Sequence, residues 1–127
     1  DLFESSRRAG VLLETLVEGS PGRVSDGVGL TVYRILQESL ANAARHASGA
    51  AVCARLIWEP ATVTVEVVNG PATAARRDPG GAADRSGGNG IRGMAERATA
   101  MGGQLVAHPR GDGGFEVRAV LPLLPTA

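Results

Sequence analysis

One segment of the chain places a carboxylate, an amide and basic side chains at helical spacing. Glu38 and Asn42 are four residues apart, so they lie on the same side of a helix. At about 100° per residue, the same sector of the helix also holds Thr31, Arg34, Arg45 and His46. A carboxylate and an amide oxygen with cationic groups beside them suit a hydrated Mg²⁺ ion next to phosphate groups. An amphipathic surface helix with a solvated polar face is the alternative interpretation.

A glycine-rich segment later in the chain reads Gly87-Gly88-Asn89-Gly90-Ile91. In a glycine-rich turn that opens a helix, backbone N–H groups can approach phosphate oxygens closely, and the helix N-terminus favours anions. A lone glycine cluster is more often an ordinary turn. We therefore predict a turn at Gly88 and Gly90, followed by a helix over residues 91–101.

Together the two segments resemble the ATP-binding catalytic domains of sensor histidine kinases, in the Bergerat-type (GHKL) ATPase superfamily. The pattern Glu38-x-x-x-Asn42-x-x-Arg45-His46 is similar to the N box of that family, and Gly88-x-Gly90-Ile91 is similar to its G2 box. The residues around both motifs resemble the branch that acts with NarL-type response regulators. The resemblance covers residues 10–122, which is nearly the whole chain.

The resemblance implies a role for each matching residue. Asn42 would bind Mg²⁺ through its side-chain oxygen, and Glu38 would hold a metal-bound water or polarise the attacking group. Arg45 would lie near phosphate, and His46 would have a structural or phosphate-neighbouring role. The phosphate-binding turn would be formed by Gly88, Gly90 and Ile91. The implied reaction is γ-phosphoryl transfer from ATP, in which a metal ion neutralises the developing charge.

The segment that resembles the G1 box departs from the family pattern Asp-x-Gly-x-Gly. The aligned residues place Val68 at the aspartate that reads the adenine amino group, and only Gly70 matches. Valine accepts no hydrogen bond, whereas the amide oxygen of Asn69 would accept one after a small register shift. An ordinary turn asparagine before glycine is the alternative. A buried donor left unpaired would weaken nucleotide binding by about 1–3 kcal/mol.

Composition and charge are typical of one small domain. The chain has 127 residues, with 13 basic and 13 acidic side chains, so its charge indicates neither a nucleic-acid nor a membrane surface. The single cysteine, Cys53, allows no intrachain disulfide, and its apolar strand context predicts a buried structural thiol. No apolar run is long enough for a membrane span. We expect a cytoplasmic fragment without direct membrane contact, whose parent protein is either soluble or membrane-anchored.

Hydrophobic periodicity and turn signals predict five strands and two principal helices. The strands are expected at residues 11–17, 50–58, 62–68, 104–108 and 115–121. The long helix is expected from Ser25 or Asp26 to His46. This order favours a two-layer α/β sandwich of the Bergerat type, with a mixed five-stranded sheet and helices on one face.

The two ends of the chain and the long segment before the second helix are interpreted separately. Residues 1–9 are expected to be a linker or the end of a preceding helix, 10–122 the histidine-kinase-like domain, and 123–127 a tail. Residues 70–90 lack periodicity and exceed most ordinary connections. The family resemblance makes this segment a mobile lid over the nucleotide.

The resemblance implies ATP and Mg²⁺ as ligands and two partners: an upstream dimerisation domain that carries the phosphoacceptor histidine, and a response regulator of the NarL type. Neither His46 nor His108 is in the context expected of a phosphoacceptor. Two alternatives remain open, an anti-sigma-factor-like serine kinase and a non-catalytic module that has lost nucleotide binding through its altered G1 box. The full-length gene would test the first alternative, and a nucleotide titration would test the second.

Overall fold

The computed structural model describes residues 1–72 and 82–124, and the side chains of residues 1–72 and 90–124. Its elements, in chain order, are α1 (Leu2–Arg8), β1 (Leu12–Glu18), α2 (Asp26–His46), β2 (Ala51–Trp58), β3 (Thr62–Asn69), α3 (Ala82–Ala100), β4 (Gln104–Pro109) and β5 (Phe115–Pro122). The predicted strands are all present, with ends that differ by one residue or less. Among the described helices, none is long and apolar enough to cross a membrane.

The five strands form one mixed sheet in the order β1-β2-β3-β5-β4. β1 pairs with β2 in parallel, because α2 connects them as a crossover, and the other three pairings are antiparallel. α2 and α3 contact each other, and α1 contacts β1 and α2. The predicted two-layer α/β fold with a mixed five-stranded sheet is confirmed.

Local signals define α2. The hydroxyl of Ser25 caps the helix by accepting a hydrogen bond from the Val28 N–H at 3.1 Å. Its apolar side packs into the core, where Val28, Ile35 and Leu40 are almost completely buried. Thr31 was expected on the polar face but is only 7% exposed. Its hydroxyl donates to the Gly27 carbonyl at 2.8 Å, so it can be buried without losing a hydrogen bond.

α3 begins earlier than predicted. The helix starts at Ala82, so Gly88 and Gly90 lie within it and do not form a turn that precedes it. Glycine costs about 1 kcal/mol relative to alanine inside a helix, which is why these residues indicated a break. Packing explains the glycine at position 90, because a Cβ atom there would overlap the carboxylate of Glu38 on α2. Of the predicted lid, residues 73–81 lie outside the described residues, and the part from Ala82 belongs to α3.

The packed part of the chain extends slightly beyond the predicted domain limits. Residues 1–9, expected to be a linker or a helix end, contain α1, and its Leu2 and Phe3 pack against the core. Leu123, expected in the tail, is buried in the core. Its N–H donates to the Ala61 carbonyl at 2.9 Å and its carbonyl accepts from the Ser25 N–H at 3.0 Å. These two bonds connect the end of the sheet to the start of α2.

The outer face of the sheet carries a row of alternating charges across four strands. Arg55 is 2.9 Å from Glu18 and 3.0 Å from Glu66, and Arg118 is 3.2 Å from Glu66. Glu66 lies between the two arginines with a side chain only 16% exposed. Cross-strand charge pairs of this kind contribute to the stability of a sheet face.

Cys53 lies on this outer face and is half-buried, so the prediction of a buried structural thiol is wrong. Successive strand residues point to opposite faces, and in β2 the inward positions are taken by Val52 and Ala54. Partial burial and the nearby carboxylate of Glu14 raise the pKa of the Cys53 thiol. A thiol with a raised pKa is a weaker nucleophile at neutral pH.

Candidate functional site

The main cavity lies between the helices and the inner face of the sheet. It has a volume of about 480 Å³. Its described lining residues are Ser39, Asn42, Ala43, His46, Ala47, Val67, Asn69, Ala72, Ile91, Pro109, Gly113, Gly114, Phe115 and Val117. The cavity therefore brings together four of the residues singled out in the sequence, namely Asn42, His46, Asn69 and Ile91. A cleft of this size, mostly apolar with a few polar groups, is typical of a small-molecule site.

The predicted metal and phosphate residues of α2 form one cluster. A terminal guanidinium nitrogen of Arg45 donates to the side-chain oxygen of Asn42, and the same nitrogen lies 3.6 Å from the Glu38 carboxylate. The Arg45 and Glu38 side chains are partly exposed, so this ion pair contributes little to stability. Asn42 belongs to both the cluster and the cavity lining, so the cluster borders the cavity.

The oxygen atoms of the cluster suit a Mg²⁺ ion that keeps several of its waters. Within the described residues, no group of three or more His, Cys, Asp or Glu side chains is placed to hold a metal ion. Mg²⁺ commonly keeps several waters and binds one or two protein oxygens together with substrate phosphates. The Glu38 and Asn42 oxygens already converge on a positive charge, the Arg45 guanidinium. A metal ion at these oxygens requires that guanidinium to move aside.

Val68, which the family pattern aligns with the adenine-reading aspartate, is not among the described residues that line the main cavity. Val68 pairs with Cys53 and Glu116, and it lines a smaller cavity of about 240 Å³ on the outer face of the sheet. Asn69 lines the main cavity as well as the smaller one. The reason is strand alternation, because successive side chains of β3 point to opposite faces. The polar group that β3 contributes to the main cavity is therefore the amide of Asn69.

The amide of Asn69 has a defined orientation. Its nitrogen donates to the Gly70 carbonyl at 2.8 Å. Among the described residues nothing donates a hydrogen bond to the side-chain oxygen, which can only accept, so it can meet a ligand. Gly70 lines the smaller cavity and is not among the described residues of the main one.

The β4–β5 hairpin supplies a wall of the cavity that the sequence reasoning missed. Pro109, Gly113, Gly114 and Phe115 all line it. A Cβ atom on Gly114 would overlap the carbonyl oxygen of Asn69, so a side chain there would push the hairpin away from β3. The signal in the sequence was the glycine cluster at residues 111–114, which was interpreted only as a turn.

The remaining predicted residues lie in different places. His46 is exposed at the end of α2 and lines the cavity. Ile91 lines the cavity from α3. Gly90 contacts Glu38 and thus borders the α2 cluster. Gly88 lies in α3, and its surroundings are outside the described side chains.

The contact between Gly90 and Glu38 can be tested by comparing two glycines of α3. Replacing a helical glycine with alanine gains about 1 kcal/mol of helix propensity. We expect Gly93→Ala to show this gain in the free energy of unfolding, because its Cβ atom would meet nothing within 4 Å. Gly90→Ala should gain less, because its Cβ atom must displace the Glu38 carboxylate. Denaturant unfolding of the two variants measures the difference, and equal gains would show that Glu38 moves without cost.

Comparison with known proteins shows what the chain is similar to in sequence and fold. No family model matches the chain. The chain is 29% identical over 117 residues to the sensor histidine kinase LnrJ of Bacillus subtilis (strain 168). That match covers 92% of this chain but only 27% of LnrJ. The chain therefore spans little more than a quarter of the length of that curated relative.

Solved structures of histidine kinases have the same fold. The mycobacterial sensor histidine kinase MprB matches with a TM-score of 0.62 and 22% identity, over 98% of this chain and 92% of that structure. A nucleotide-free form of the ThkA catalytic domain matches with a TM-score of 0.64 and 18% identity, over 98% and 86%. Full-length ShkA in complex with AMPPNP matches with a TM-score of 0.66 and 19% identity, over 98% of this chain and 28% of that structure. The chain therefore has the fold of histidine kinase catalytic domains, as its motifs predict, and is similar over almost its whole length to a sensor histidine kinase.

Proposed function

We propose that this domain binds Mg-ATP in the main cavity and supplies the γ-phosphate for phosphorylation of a histidine on a separate dimerisation domain. The observation that carries the proposal is that Asn42 of the N box and Asn69 of the altered G1 box line the same cavity. These residues are far apart in the sequence, and only the fold brings them together. The similar structure of ShkA, solved with AMPPNP, supports a nucleotide as the ligand.

Each end of the cavity suits a different part of the nucleotide. The apolar walls contributed by Val67, Phe115 and Val117 suit a flat base, and the Asn69 oxygen would accept a hydrogen bond from the amino group of that base. The cluster of Glu38, Asn42 and Arg45 suits the triphosphate. Ile91 would pack against the nucleotide from α3, and His46 would lie beside it.

The α2 cluster would hold the metal and the phosphates. Glu38 and Asn42 would bind Mg²⁺, directly or through water, and the bound ion would neutralise negative charge on the phosphates. Once Arg45 releases these two oxygens, its guanidinium is free to pair with a phosphate oxygen. Glu38 would also orient the attacking group. Gly70, Gly88 and Gly90 are proposed to lie near the phosphates, as the family motifs imply.

The reaction would need partners that lie outside this chain. Because the chain spans 27% of LnrJ, the phosphoacceptor histidine is proposed to lie on an upstream dimerisation domain. A response regulator, of the NarL type by its motif resemblance, would receive the phosphoryl group. We propose a cytoplasmic location for the domain, where ATP and the regulator are found.

The test is calorimetric titration of the domain with ATP in the presence and absence of Mg²⁺. We expect saturable binding of one ATP per chain that becomes weaker when the metal is chelated. Absence of any nucleotide binding to the folded domain would contradict the proposal and support a non-catalytic module. Strong binding, followed by phosphorylation of a protein serine by the full-length kinase, would instead support a serine kinase.

A further inference from the structure

Ser39 is a buried polar residue of α2 that none of the family motifs assigns. Its residue exposure is only 3%, yet it lines the main cavity. Its hydroxyl donates to the sulfur of Met94 on α3 at 3.4 Å. A thioether sulfur is a weak acceptor, so this bond satisfies the hydroxyl poorly. Buried hydroxyls in proteins usually have a better partner.

The contrast with Thr31 on the same helix shows what a buried hydroxyl commonly does. Thr31 donates to the carbonyl of Gly27, four residues earlier, at 2.8 Å. Within the described residues, Ser39 has no such bond to its own helix, and its one hydrogen bond is with Met94. Its hydroxyl therefore keeps the capacity for a stronger bond with a ligand in the cavity.

The surroundings of Ser39 indicate which part of a ligand it meets. It is the only hydroxyl-bearing residue among the described residues that line the cavity. Its neighbours along the same side of α2 are Ala43 and Asn42, and the sheet opposite contributes Val67 and Val117. A neutral hydroxyl in a largely apolar wall suits a base, whereas the charged cluster of Glu38 and Arg45 suits phosphates.

Ser39 and Asn69 offer complementary hydrogen-bonding groups. The Asn69 oxygen can only accept, so it suits an amino group on the base. A ring nitrogen of a purine needs a donor, and the Ser39 hydroxyl can give one. We propose that Ser39 donates a hydrogen bond to a ring nitrogen of the purine base and thereby adds to base recognition in this cavity. This inference rests on the proposed binding of ATP.

The test compares ATP binding by the parent domain, Ser39→Ala and Met94→Leu, measured by calorimetry with Mg²⁺ present. Ser39→Ala should bind ATP about threefold to tenfold more weakly, the loss expected for one neutral hydrogen bond. Met94→Leu is the matched control, because it removes the sulfur partner and leaves the hydroxyl in place. It should bind ATP like the parent. Magnesium tripolyphosphate, which has no base, should bind the parent and Ser39→Ala with the same dissociation constant.

The outcomes separate this inference from the proposed function. ATP affinity unchanged in Ser39→Ala would overturn the role of Ser39 while leaving nucleotide binding intact. An equal loss in Met94→Leu would overturn it as well, because the effect would then come from packing between α2 and α3. A higher dissociation constant for tripolyphosphate in Ser39→Ala would show that the hydroxyl does not act on the base. A parent domain that binds no ATP would overturn the proposed function and this inference with it.

Discussion

Asn42→Ala is expected to remove most of the Mg²⁺ dependence of ATP binding and to leave the domain folded. Asn42 contributes its amide oxygen to the α2 cluster and is itself one of the residues that line the cavity. Without it, the metal would keep only Glu38 as a protein ligand. We expect ATP affinity in Mg²⁺ to fall about tenfold to a hundredfold, equivalent to about 1.4–2.8 kcal/mol. Calorimetric titration with and without the metal measures both quantities.

Two variants on the same helix give this experiment its controls. Gln37 is exposed on α2 and is neither in the cluster nor among the described cavity residues, so Gln37→Ala should bind ATP like the parent. Arg45→Gln removes the guanidinium that contacts Asn42 and Glu38. It should retain Mg²⁺ dependence while losing affinity for the phosphates. An Asn42→Ala domain whose ATP affinity still responds fully to Mg²⁺ would exclude Asn42 as the metal ligand.

The sequence predicts the elements correctly wherever the signals are local. α2 begins where Ser25 can cap it, and Gly49, with a φ of 84°, follows its end. β3 alternates polar and apolar residues and β2 is an almost continuous apolar run, so the position of each strand is clear from a short window. The polar spacing of Glu38 and Asn42 likewise needs only one helix, and the structure places the two side chains around the same guanidinium.

The errors come from contacts between segments that are distant in the sequence. Gly90 resembles a helix breaker, but its lack of a side chain matters because α3 packs closely against Glu38 of α2. The contribution of Gly114 depends on the pairing of β5 with β3, which places it against the Asn69 backbone. Neither contact leaves a pattern within its own segment, so neither was predictable from local periodicity.

The face on which Val68 lies is different, because the sequence contains a local signal for it. Val63, Val65 and Val67 are buried on the inner face of β3. Extending this period of two along the strand leads to Asn69 and not to Val68. Alignment by the position of Gly70 alone leads to Val68, which lines the smaller cavity on the outer face of the sheet.

The strand period predicts which residue determines base preference. We expect the parent domain to prefer ATP to GTP, because the Asn69 side-chain oxygen can accept a hydrogen bond from the base while one N–H of the same amide is held by the Gly70 carbonyl. An adenine amino group can donate to that oxygen, whereas the guanine carbonyl at the same position cannot. Asn69→Ala should weaken ATP binding about tenfold, equivalent to about 1.4 kcal/mol, and change GTP binding little. Titrations of both nucleotides against the parent and the variant measure the preference.

Val68→Asp and Asn69→Asp also test whether the residue at position 69 determines base preference. A carboxylate at Asn69 keeps an acceptor in the main cavity, so Asn69→Asp should retain the preference for ATP. A carboxylate at Val68 would lie on the outer face beside Cys53 and Glu116, where it cannot reach the base. ATP affinity should therefore be nearly unchanged in Val68→Asp. A tenfold gain of ATP affinity in Val68→Asp would support the alignment of Val68 with the adenine-reading aspartate. A preference for ATP that survives Asn69→Ala would show that neither residue reads the base, and base selectivity would then have to come from other groups in the cavity.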